Sequence, residues 1–151
     1  MTTVTYYNNL SSRFDRYVAG DLVVEVDATE TPDDRIGAAA AEAAWVFFQR
    51  IDTPHAILDF HGAPSMSVGD VVRVGDGPDF QWWAVADLGW TQLDGEPRQM
   101  ARLGKTVAAA RDELRESTGH LCAFIFDEGQ RCTRAQGHQG ECASETRERA
   151  K

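Results

Sequence analysis

Two β-prone runs joined by a compact turn, "SMSVGDVVRV" at 65–74 and "FQWWAVA" at 80–86, do most to limit how this chain can fold. Gly75-Asp-Gly-Pro-Asp79 lies between them, and this turn chemistry makes the pair an antiparallel hairpin. Asp87-Leu-Gly-Trp90 closes it with an aromatic anchor. Upstream, Val4, Tyr6 and Tyr7 mark a first strand that ends at Asn8-Asn9. Asp21 to Asp27 reads as a second, with Leu22, Val24 and Val26 on one face and Val23 and Glu25 on the other.

Two helices are predicted around these strands. Thr31 can cap free amides, Pro32 suits a first helical position, and Asp33 and Asp34 face the positive end of the dipole. The helix would run to about Ile51 on a stripe of Ile36, Ala40, Ala43, Phe47 and Ile51. His55 to Pro64 has no regular pattern, and Asp94 to Pro97 reads as a linker. The second helix is expected from about Arg98 to Glu116, with Met100, Leu103, Val107, Ala110 and Leu114 as its apolar seam. Gly119 fits the position past its end. The fold class is therefore α+β: a small antiparallel sheet packed by one helix, then a second helix and a small C-terminal module. The expected boundaries are 1–95 for the body, 96–118 for the connecting helix, 119–145 for the module and 146–151 for a tail.

A length of 151 residues supports one ordinary core plus an appendage. No apolar run approaches a membrane span, and the opening residues show no charged leader followed by an apolar stretch. A cytoplasmic location is the resulting expectation. The net charge of −9 is unevenly shared. Residues 1–95 carry 15 acids against 5 bases, while 96–151 carry 9 against 10. The acidic body repels nucleic acid and can steer a basic partner, so any nucleic-acid contact belongs to residues 96–151.

All three cysteines fall at the end of the chain. Cys122, Cys132, His138 and Cys142 follow the spacing C-x9-C-x5-H-x3-C. Cys3His is a usual ligand set for tetrahedral structural zinc. A turn at Asp127-Glu-Gly129 would fold Cys132 back toward Cys122, and Gly137 and Gly140 relieve crowding around His138. A piece this short buries too little apolar area to hold itself folded, and metal binding would supply the missing free energy. The competing reading is a set of unrelated surface thiols; a redox pair is disfavoured because no C-x-x-C is present. His120 is a competing ligand, with a plainer role as a cation at a helix end. A filled Cys3His set has no open position, so the zinc is structural.

Other candidates stand against plainer explanations. His55, Asp59 and His61 could form an acid–base or metal group, but lack a third firm ligand or a nucleophile. Trp82, Trp83 and Trp90 could present an interaction surface; as strand neighbours, Trp82 and Trp83 point to opposite faces. Arg131 and Arg134, in the C-terminal module, are further candidate interaction residues, suited to a nucleic-acid contact together with the basic side of the second helix.

The stretch 62–94, through Ser65-Met-Ser-Val-Gly-Asp-Val-Val72 and Gly89-Trp90, resembles the core of the YodL-like domain. The opening "YYNNLSSRFDRY" and the alanine-rich helix extend the resemblance over roughly 1–94; Ala63-Pro64 stands where that family has a basic or histidine residue. Arg131-Cys132 and Gly137-His138-Gln-Gly-Glu-Cys142 resemble short zinc motifs of small proteins in high-GC bacteria and their phages. The resemblance implies a phage or mobile-element protein in a bacterial host and supplies no reaction. The sequence thus leads to a non-enzymatic, zinc-binding accessory protein, monomeric or a small homo-oligomer, that binds a host or element-encoded protein. The alternative is a nucleic-acid-associated regulator using the zinc module and the basic side of the second helix. A small hydrolase built on 55–61 is a third reading.

Overall fold

The computed structural model describes residues 1–12, 14–49 and 55–118. One unit runs from Met1 to Ala110; a second begins at Arg111, of which residues 111–118 are described. The elements are β1 (Thr2–Asn9), β2 (Leu22–Thr31), α1 (Gly37–Phe47), α2 (Ala56–His61), β3 (Val71–Val74), β4 (Gln81–Val85), β5 (Trp90–Gln92), β6 (Arg98–Met100) and α3 (Val107–Thr118).

The strands form one sheet in the order β5-β4-β3-β1-β2-β6. β1 is central because its β-branched and aromatic residues can be covered on both sides; Val4 to Asn9 are all buried. Register puts Tyr6, Val72 and Trp83 on one face and Tyr7, Val71 and Ala84 on the other. α1 covers the first face, where the rings of Tyr6 and Phe48 lie 5.2 Å apart. On the second, Tyr7, Val23, Val71, Trp82 and Ala84 form a cluster with Tyr17 and Leu93 packed against it. The sheet is α+β as expected, and it is mixed instead of purely antiparallel. β5 and β6 occupy opposite edges, and β6 pairs with β2 in parallel. Hairpins yield only antiparallel neighbours, whereas a connection that crosses the sheet can return in the same direction.

Three local expectations shift. Thr31 does not cap a helix: it ends β2 opposite Thr2, its hydroxyl donating to the Thr2 carbonyl at 3.2 Å. The long partner strand outcompetes the local cap, and Pro32 sits in a turn that Arg35 N–H closes. α1 starts at Gly37, whose φ of +53° and closeness to Trp83 both favour a residue without a side chain. The buried helix face is Ala40, Ala41 and Ala44, continued by Phe48, one position off the expected stripe; Ile36 and Phe47 are exposed. A nearly all-alanine helix carries almost no periodic signal, so only packing selects the face. In β2, the step from Tyr6–Asp27 to Tyr7–Glu25 skips Val26, a bulge that breaks the alternation there; Val24 and Val26 are both buried.

The connecting helix is also shorter than expected. Residues 98–100 are β6, and the chain turns at 102–105, where Leu103 (φ +51°) is exposed and Gly104 takes φ +82°. α3 begins after Thr106, whose hydroxyl accepts Ala109 N–H at 3.1 Å as an N-terminal cap. Val107 and Ala110 are buried as expected. The irregular stretch holds α2, ended by Gly62 in the left-handed region (φ +59°).

A buried polar knot ties β1 to the turn before β3. Asp70 accepts Asn9 N–H at 2.8 Å and the Asn8 side-chain amide at 3.0 Å through Oδ1. Its Oδ2 accepts Ser67 N–H at 2.9 Å and the Tyr6 hydroxyl at 3.2 Å. The Asn9 amide bridges Asp21 Oδ2 (2.9 Å) and the Gly69 carbonyl (3.0 Å). A Cβ on Gly69, at φ +92°, would lie 2.0 Å from the Asp15 carbonyl oxygen. The "SVGD" stretch is thus where four chain segments cross, and its polar residues are core.

Candidate functional site

Two groups of side chains in this unit have more than a packing role. The first joins α2, β2 and the 101–106 turn. His61 Nε2 lies 2.9 Å from Asp27 Oδ2, and Arg102 Nη2 lies 3.1 Å from His61 Nδ1. A guanidinium can only donate, so Nδ1 is the acceptor of the Arg102 bond and Nε2–H donates to Asp27 Oδ2. Arg102 also donates to the carbonyls of Val26 and Lys105, both at 3.0 Å. With both ring nitrogens engaged, His61 has no lone pair to offer a substrate, and the group acts as a clamp holding the turn to the sheet. His55 sits apart, its ring edge-on to Phe47. A cavity of about 370 Å³ beside the clamp is lined by Glu25, Gln99, Met100, Ala101 and Arg102.

The second group lies where α1 meets the β4–β5 hairpin. The tryptophan pair divides between faces, as strand geometry requires: Trp82 is buried against Tyr7 with ring centroids 5.0 Å apart, while Trp83 is half-buried beside Gly37. Trp90 opens β5, half-buried on Trp83's side of the sheet. Its ring meets that of Trp45 at 87°, with centroids 6.4 Å apart. Trp90 Nε1 donates to Glu42 Oε2 at 2.8 Å. Glu42 is exposed and forms no ion pair among the described residues. Two perpendicular indoles and an anchored carboxylate therefore meet at one corner of the surface.

Of the residues singled out in the sequence, Trp83 and Trp90 lie on this surface and Trp82 is in the core. Cys122, Cys132, His138 and Cys142, with Arg131 and Arg134, lie outside the described residues. Among the described residues no cluster of His, Cys, Asp or Glu could hold a metal ion, and no helix is long and apolar enough to cross a membrane. Sequence reasoning missed Glu42 and Trp45. Their signal was available: on the alanine-rich helix they stand three apart, off the buried positions, and therefore adjacent on the outer side.

One further feature bears on pH. Burial, then the charge of Glu25 beside it, pushes the Tyr7 hydroxyl up from 10.0 to about 12. The same hydroxyl donates to Glu25 at 3.4 Å.

Comparison with protein-family models, with curated proteins and with solved structures finds no match to this chain.

Proposed function

We propose that this chain is a non-enzymatic accessory protein of a phage or mobile element that acts by binding a host or element-encoded protein. The observation that carries the reading is the corner formed by Trp45, Trp90 and Glu42. Half-exposed tryptophans on an acidic surface are what protein–protein contacts use as anchors, because indole buries a large area at low conformational cost. The likeness of residues 1–94 to the YodL-like domain supports the setting. The spacing of Cys122, Cys132, His138 and Cys142 supports a structural zinc that staples the C-terminal module. The acidic body supplies steering, raising the encounter rate with a basic partner at low salt.

The test is affinity capture from a bacterial host lysate with the full-length protein. A partner retained by the wild type and lost when Trp45 and Trp90 are both replaced by alanine, with circular dichroism unchanged, is the expected result. Partner binding that is indifferent to both tryptophans would remove the reading.

A further inference from the structure

We infer that the Trp45–Trp90–Glu42 corner is a receptor for an arginine side chain of a protein partner. The inference rests on the protein-binding reading and adds the chemistry of the bound group. The rings at 87° form two walls, and cations are attracted to the faces of indoles more strongly than to other aromatic rings. The Trp90 N–H fixes one carboxylate oxygen of Glu42 at 2.8 Å, which holds the charge in place and leaves Oε1 for a second partner. A planar guanidinium satisfies both demands together: it stacks on an indole face and donates in its own plane to a carboxylate. An ammonium is a compact, strongly hydrated charge and gains less from stacking.

The two segments that build the corner are net acidic. From Thr31 to Gln49 the acids are Asp33, which pairs with the N-terminal ammonium, Asp34 and Glu42, with Arg35 the sole basic side chain; from Phe80 to Gln92 Asp87 is the one charged residue. Leu88, 93% exposed and two residues before Trp90, offers apolar surface next to β5 for such a contact.

The probe is a neutral glycine–serine peptide carrying two arginines, titrated into the full-length protein at physiological salt and followed by calorimetry and tryptophan fluorescence. Saturable binding is expected, with the lysine version of the peptide weaker. Glu42→Gln should weaken the arginine peptide about tenfold, as for loss of one charge-assisted hydrogen bond. Glu30→Gln makes the same charge change on β2, separated from β5 by three strands, and should leave affinity within about twofold. Should Glu42→Gln disturb folding, Trp45→Leu provides the second variant, with the same expected loss. No saturable binding by the wild type, equal binding of both peptides, or equal losses in Glu42→Gln and Glu30→Gln would each overturn the inference. Capture of a protein partner that survives Glu42→Gln overturns the arginine assignment and leaves partner binding intact.

Discussion

Replacing Asp70 with alanine isolates the polar knot that joins β1 to the turn before β3. The side chain is buried and accepts hydrogen bonds from Asn9 N–H, Ser67 N–H, the Asn8 amide and the Tyr6 hydroxyl. Alanine removes the acceptor and leaves two backbone donors and three side-chain donors in place, the third being the Ser67 hydroxyl at 3.5 Å, which can turn to another acceptor. A buried donor without a partner costs roughly 1–3 kcal/mol. The Tyr6 hydroxyl retains the Pro64 carbonyl at 3.2 Å, so its loss is partial. The two backbone donors cannot turn away. Counting them near the middle of the range, and the Asn8 amide at the low end, gives a loss of about 4–5 kcal/mol. For a chain of this size that lowers the thermal midpoint by more than about 10 °C. Asp70→Asn keeps Oδ1 for two donors and sets an NH2 against Ser67 N–H and the two hydroxyls, which can rotate to accept from it, so it should lose about half as much. Urea unfolding followed by circular dichroism, with the slope checked for constancy, gives both numbers. An Asp70→Ala protein within about 0.5 kcal/mol of the wild type would overturn this accounting.

Gly69→Ala combines a left-handed backbone with a contact on the Asp15 carbonyl and should cost at least about 3 kcal/mol in the same unfolding assay. Because the Tyr7 hydroxyl is raised to about 12 in the folded state, its contribution is intact below pH 10 and is lost as pH climbs from 10 toward 12. That loss has a ceiling of about 2.7 kcal/mol, and screening by water at the exposed Glu25 lowers it to about 1–2 kcal/mol; Tyr7→Phe should flatten this part of the stability–pH curve. His61→Ala frees Arg102 from one of three partners, so a stability loss of about 1 kcal/mol is expected, with faster proteolysis at 101–106. For the C-terminal module, elemental analysis should find about one zinc per chain, and Cys132→Ser should abolish it; a Cys132→Ser protein that keeps its zinc contradicts the ligand set.

The β-hairpin was legible because Gly75-Asp-Gly-Pro-Asp79 and two β-branched or aromatic runs agree locally on one structure. β1 and β2 were legible for the same reason. β6 was not: Arg98-Gln-Met100 has no strand propensity of its own and pairs only because β2 offers a free edge. Thr31 and Pro32 carried a sound helix-start signal that a long-range ladder overrode. Thr106, the cap that does start α3, was open to reading, since Leu103-Gly104 just before it breaks any helix running through. The polar knot lay in plain view in Ser67, Gly69 and Asp70, but which segments it joins depends on contacts some sixty residues apart. The Trp45–Trp90 corner is likewise a product of topology, because no spacing rule links residue 45 to residue 90.

A partner protein seated on the α1–β5 corner must pass close to Leu88, which is 93% exposed and two residues from Trp90. A photo-crosslinking amino acid at that position places a reporter at the rim; one at Phe60, 80% exposed on α2, is the control. A discrete crosslinked species is expected from Leu88 in host lysate, competed by the arginine peptide, and none from Phe60. Crosslinks from Phe60 alone, or the same species from both positions without competition, would contradict a partner at this corner.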